Sequence, residues 1–146
     1  MLAIFPPNES LSPVSDANPP SSSKSLLVVD DDPDIREITT FVLEAAGYRV
    51  VCAADGQEAI KILAGQPFDL VITDMLMPGG DGLELLAAVK KSRSNCRVLV
   101  MSGGGMIGVG DYLTVAKKLG AHGVLEKPFS GEVLLATVAD LLKKAD

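Results

Sequence analysis

Ser25-Leu26-Leu27-Val28-Val29-Asp30-Asp31-Asp32-Pro33 is a short apolar run that stops abruptly at three acids and a proline. The run is continuous rather than alternating, so it reads as a strand covered on both faces, as in a parallel sheet. Asp32-Pro33 then reads as a helix start, with a side-chain acceptor at the N-cap and a proline at the first helical position. The stretch therefore predicts a strand that hands over directly to a helix, with two acids left at the junction.

Outward from it the same pattern repeats. Further apolar runs at Tyr48–Cys52, Leu70–Thr73, Val98–Met101 and Gly123–Leu125 alternate with amphipathic segments, as strands alternate with helices in βα units. In the first helix Ile35, Ile38, Val42 and Ala45 form the expected inward stripe, and Gly47 the expected stop. Asp55-Gly56-Gln57-Glu58 and Asp81-Gly82-Leu83-Glu84 each read as an acidic cap with Glu three residues on. A last helix is expected from Ser130, which caps it, with Leu134, Val138 and Leu141 facing inward and basic residues at its end. The segment Gly110 to Leu119 carries the weakest helical signal. Five such units with right-handed crossovers predict an α/β fold, a flavodoxin-like (βα)5 doubly wound sandwich with parallel strand order 2-1-3-4-5.

Composition bounds what such a chain does. Its 146 residues suit one domain, and with no Trp, two Tyr and four Phe the core must be aliphatic. A formal charge of −6 argues against direct nucleic-acid binding. No apolar run approaches the roughly 18 residues of a membrane span, and Met1 to Pro7 hold no basic n-region, so a cytoplasmic location is expected. Residues 1–24 hold five prolines and six serines without periodicity and read as a disordered tail, leaving 25–146 as the folded domain. Cys52 and Cys96 sit in apolar surroundings without metal-ligand spacing and read as buried free thiols. His122, the only histidine, has no partner ligand near it in sequence and reads as a surface or interface residue.

In the expected strand order the chain reverses between strands 1 and 3, so the ligand crevice lies beyond their carboxyl ends, where Asp30, Asp31 and Asp74 fall. Three carboxylates together repel one another strongly unless a cation joins them. A hard divalent ion, Mg²⁺, suits that set. Ser102 follows the fourth strand and Lys127 the fifth, at the same edge. A hydroxyl donor and an ammonium there suit the peripheral oxygens of a phosphoryl group on Asp74.

Four motifs, Val28-Val29-Asp30-Asp31-Asp32-Pro33, Thr73-Asp74-Met75-Leu76-Met77-Pro78-Gly79-Gly80-Asp81-Gly82, Met101-Ser102-Gly103 and Glu126-Lys127-Pro128-Phe129, resemble in order and spacing the response-regulator receiver domain of bacterial two-component systems. The resemblance runs over residues 25–146. It implies that Asp74 is the phosphoacceptor, that Asp31 binds Mg²⁺ directly while Asp30 acts mainly through water, and that the Leu76 backbone carbonyl is a further ligand. It also implies that Ser102 and Lys127 read the phosphoryl oxygens. The partners implied are a sensor histidine kinase or histidine phosphotransfer protein and an unspecified downstream protein. The chain would be a phosphoacceptor switch rather than an enzyme.

Val124 stands three residues before Lys127, where the family often has Tyr or Phe. A phosphorylation response is therefore expected in residues 102–112, around Gly103, Gly104, Gly105, Gly108 and Gly110, rather than at position 124. Leu76 and Gly104, at positions that flank the water's path in this family, offer no side chain to aim a water, so self-dephosphorylation is expected to be slow. Because the sequence ends soon after the fifth helix, a single-domain regulator is expected, with a fragment of a larger regulator as the alternative. Two unrelated readings fare worse. A haloacid-dehalogenase-type phosphatase needs a second Asp at position 76, and a flavodoxin-type carrier needs phosphate-binding donors where the first turn is acidic.

Overall fold

A computed structural model describes residues 24–74, 81–91, 96–102, 117–118 and 120–143, the side chains of 81–83 and 102 excepted. In chain order the elements are β1 (Ser25–Val29), α1 (Pro33–Ala45), β2 (Arg49–Ala53), α2 (Gly56–Gly65), β3 (Leu70–Asp74), α3 (Asp81–Lys91), β4 (Arg97–Ser102), β5 (Gly123–Glu126) and α4 (Gly131–Lys143). The strands form one parallel sheet in the order β2-β1-β3-β4-β5. This is the flavodoxin-like doubly wound arrangement, and each expected strand lies within a residue of its observed bounds. The weak helical segment, Gly110 to Leu119, falls largely outside the described residues, although Lys117 and Lys118 are helical.

Alternation along each strand sends side chains to two cores. Leu27, Val29, Val71, Val98 and Val100 pack with Ala59 of α2 and Leu85, Leu86 and Val89 of α3. Leu26, Val28, Leu70, Ile72, Leu99 and Met101 pack on the other face with Leu43 of α1 and Leu134, Val138 and Leu141 of α4. Burial on both faces is why the strand sequences are continuously apolar.

The helix ends follow the local chemistry. The Asp32 carboxylate accepts from the Asp34 amide at 2.9 Å, Asp55 accepts from Glu58 at 2.8 Å, and Ser130 accepts from Val133 at 3.1 Å. Glu58 reaches back to the Ala54 amide, one residue before the cap, at 2.7 Å. At the end of α1 the amides of Gly47 and Tyr48 donate to Glu44 and Leu43, a Schellman pairing that needs Gly47 at φ 101. α3 opens at Asp81 itself; its expected cap side chain lies outside the described residues.

Two expectations are corrected. The inward face of α1 is centred on Thr39 and Leu43, which are buried, whereas Ile38 is 62% exposed and Ala45 is also exposed. A stripe chosen by apolarity alone passed over Thr39, which is buried although its side chain carries a hydroxyl. Cys96 is buried and in no disulfide, as expected, with burial, followed by the nearby Asp69 charge, pushing its thiol up to about 12. Cys52 is only half-buried, on the edge strand β2, with its sulfur 2.9 Å from the Thr40 hydroxyl.

His122 is exposed, as expected, and has a specific job. Its Nδ1 accepts from the Val98 amide at 3.0 Å while its own amide donates to the Val98 carbonyl, so the neutral ring extends the β4–β5 ladder by one rung. Burial, and then the Arg97 charge, hold the ring below the ordinary imidazole range. A depressed folded value means that the bond contributes fully above the unfolded pKa, near 6.5, and is lost as pH falls through the folded one. His122→Ala is expected to cost about 0.5 kcal/mol at neutral pH, the lower end for one hydrogen bond, and progressively less toward pH 5. Thermal midpoints of both proteins across that range check this; a gap that stays constant would refute it.

Candidate functional site

At the carboxyl edge of the sheet β1 and β3 are neighbours, with Val29 opposite Thr73, so Asp30 and Asp74 emerge side by side. Asp30 is 0% exposed and Asp74 is buried, while Asp31 is exposed. One carboxylate oxygen from each of the three lies within 4.8 Å of the others. Lys127, immediately after β5, completes the group: its Nζ is 2.8 Å from Asp30 Oδ2 and 3.1 Å from Asp74 Oδ2. The Lys127–Pro128 peptide is cis.

The electrostatics follow from those distances. Two like charges 4 Å apart cost about 4 kcal/mol at the effective dielectric of a protein surface, so three unscreened carboxylates would be strongly unfavourable. The ammonium offsets part of this. Burial alone would depress Lys127, but its hydrogen bond to Asp30 and the charge and hydrogen bond of Asp74 outweigh burial and raise it above the ordinary lysine range. More negative than positive charge remains. Hard oxygen donors with an excess of negative charge are what a small divalent cation requires, so the donor set fits Mg²⁺.

The division of labour among the acids is visible in their hydrogen bonds. Asp30 is committed at every polar atom. Its amide donates to Ala53 O at 3.2 Å, its Oδ1 accepts from the Asp32 amide at 2.9 Å, its Oδ2 binds Lys127, and its backbone carbonyl accepts from Arg36 Nη1 at 2.7 Å. No hydrogen bond or ion pair among the described residues engages the Asp31 carboxylate. The Asp31 carboxylate is thus uncommitted among the described residues, whereas Asp30 holds Lys127 and the β1–α1 turn.

Of the residues singled out in the sequence, Asp30, Asp31, Asp74 and Lys127 come together. Ser102 ends β4 at the same edge, paired with Glu126 and one residue beyond the partner of Asp74. Leu76 and the glycines from 103 to 110 lie outside the described residues. Val124 is half-buried against the core on the α2–α3 face of the sheet. Arg36 was missed by sequence reasoning, because an arginine in the second turn of a helix reads as solvent-facing. The available signal was the carbonyl of Asp30, which lies ahead of the N-cap and has no partner within the helix.

Comparison with known proteins gives one answer. The family described as response regulator receiver domain matches residues 26–139. The chain is 36% identical over 121 residues to the transcriptional regulatory protein FixJ of Bradyrhizobium diazoefficiens, covering 83% of this chain and 58% of that protein. It is 34% identical over 122 residues to sporulation initiation phosphotransferase F of Bacillus subtilis, covering 84% of this chain and 93% of that one. Among solved structures, a CheY-like receiver domain protein from Methanospirillum hungatei superposes with a TM-score of 0.77 at 28% identity, over 84% of this chain and 96% of its own. The chain spans little more than half the length of the FixJ relative. Motifs, strand order, the acidic crevice and these matches agree: the chain belongs to the response regulator receiver domain family.

Proposed function

We propose that the chain is a phosphoacceptor switch of a His-Asp phosphorelay, phosphorylated on Asp74 in a Mg²⁺-dependent step. The observation that carries this is the Lys127 ammonium 3.1 Å from the Asp74 carboxylate, beside two further acids within metal-sharing distance. Asp74 Oδ attacks the phosphorus of a phosphohistidine; the new O–P bond forms as the P–N bond breaks, and the imidazole leaves with that electron pair and takes up a proton from solvent. Lys127 neutralises charge on the phosphoryl oxygens, with Ser102 as a hydroxyl donor to them. Asp31 and Asp74 would hold Mg²⁺ directly, Asp30 through water, and Leu76 through its backbone carbonyl. The ion, when bound, supplies charge neutralisation at the phosphoryl group.

The donor is a sensor histidine kinase or a histidine phosphotransfer protein, and the readout is an altered contact with a downstream protein rather than direct binding to nucleic acid. The phosphoryl group leaves by slow hydrolysis, for want of a water-orienting side chain at Leu76 or Gly104. Residues 25–146 form the receiver unit and 1–24 a tail. The location proposed is the cytoplasm; among the described residues no helix is long and apolar enough to cross a membrane. A second reading, a receiver from a longer regulator with its own output domain, is favoured by the 58% coverage of the FixJ relative.

The test is to incubate the protein with a small phosphodonor, with and without Mg²⁺, and to map the modified residue. A phosphoryl group on Asp74 that requires Mg²⁺ supports the proposal, and its absence contradicts it. Asp31→Ala is expected to lower Mg²⁺ affinity by upwards of about tenfold, since even outer-shell losses cost that much. It should leave apo stability level or raised, because one of three crowded carboxylates is gone. Apo melting that falls clearly while Mg²⁺ binding is unchanged would show Asp31 to be a structural turn residue.

A further inference from the structure

Arg36 ties together the two ends of the β1–α1 turn. Its backbone amide donates to Asp32 O at 3.0 Å, opening the α1 ladder. Its guanidinium returns across the turn to Asp30 O at 2.7 Å, a short charge-assisted bond to a residue that is 0% exposed. The accepting carbonyl belongs to the peptide joining Asp30 to Asp31. Fixing its direction fixes ψ of Asp30 and φ of Asp31, and so the direction in which the Asp31 side chain leaves the backbone. Asp31 has no hydrogen bond or ion pair of its own among the described residues, so its aim rests on the backbone beneath it.

We infer that Arg36 is a positioning residue for the cation site: through the Asp30 carbonyl it aims Asp31 at the metal. The inference rests on the Mg²⁺ reading above and adds to it a residue that touches neither metal nor phosphoryl group.

Charge and position predict opposite signs here, which makes the inference testable. Arg36 is a cation near an acidic site, so if its charge were all that mattered, removing it would tighten Mg²⁺ binding. If it aims Asp31, removing it weakens binding, by roughly 10–100-fold as for other outer-shell partners of metal ligands. A residue that merely stabilises the turn would lower apo melting and leave Mg²⁺ affinity alone.

The experiment is a Mg²⁺ titration of the full chain by calorimetry, with apo melting measured in parallel, for wild type, Arg36→Met and Arg36→Lys. Arg36→Met keeps most of the aliphatic stem, and Arg36→Lys keeps the charge and one donor. The expected result is a loss of Mg²⁺ affinity in Arg36→Met that exceeds any change in apo melting, with part of the affinity recovered in Arg36→Lys. Affinity unchanged or tightened in Arg36→Met, with wild type binding Mg²⁺ normally, overturns the role of Arg36 alone. A wild type that binds no Mg²⁺ overturns the reading of the acidic site and this inference with it.

Discussion

Replacing Asp74 with Asn is expected to abolish phosphate acceptance from both a histidine kinase and a small phosphodonor. The amide is a poor nucleophile and cannot carry the O–P bond, and removing a nucleophile elsewhere has cost about 10⁶-fold, so a loss of more than about 10³-fold is the minimum consistent with the assignment. The fold should survive. Asn matches Asp in volume at the end of a fully paired strand, and one negative charge leaves a cluster that has too many. The variant should therefore melt at or above the wild-type temperature without Mg²⁺. Labelling of the variant at the wild-type rate would remove Asp74 from the mechanism.

The second large effect is expected at Lys127. Lys127→Met removes the one ammonium that bridges Asp30 and Asp74 among the described residues. Breaking a buried pair from one side leaves an uncompensated charge, and because the Lys127 side chain is 20% exposed the cost should fall below the full buried-pair range. About 2 kcal/mol, or roughly 10 °C in melting temperature, is expected without metal. Because the folded lysine is raised above its unfolded value, the contribution of the pair is complete below about pH 10.5 and lost only as pH rises through the folded value. The deficit should therefore be undiminished at pH 7. Saturating Mg²⁺ should narrow the gap, since a divalent ion neutralises the same acids, while phosphoryl transfer stays depressed by about 10²–10³-fold for want of the cation on the phosphoryl oxygens. Equal apo melting of variant and wild type would show that the Lys127 bridge contributes nothing to the resting state.

Much of this arrangement is legible in the sequence, for identifiable reasons. Burial on both faces leaves the strands as uninterrupted apolar runs, and Asp32, Asp55, Gly47 and Ser130 are the residue types that helix ends demand, so the bounds follow from local chemistry, and the strand order from right-handed crossovers of five βα units. The crevice follows from strand order, because the reversal between β1 and β3 puts Asp30 and Asp74 side by side. The face of α1 was misread because hydrophobicity is an incomplete guide to burial: Thr39 is 2% exposed while Phe41 is 73% exposed. The use of Asp30 as a holder of Lys127 and the turn was beyond the sequence, because it depends on which atoms meet across a separation of 97 positions. The clamp from Arg36 lies only six residues from its acceptor and was missed for another reason: spacing specifies a neighbour on the helix but not a side chain that turns back onto the carbonyl ahead of the cap.

Phosphorylation of Asp74 is decided by treating the wild-type chain with a small phosphodonor in the presence of Mg²⁺, repeating the reaction with the ion chelated, and locating any modification by peptide mapping. A single acyl phosphate, labile to hydroxylamine, is expected on Asp74 in the first case and none in the second. A phosphoryl group on any other residue, or equal labelling of Asp74 without the ion, would contradict it.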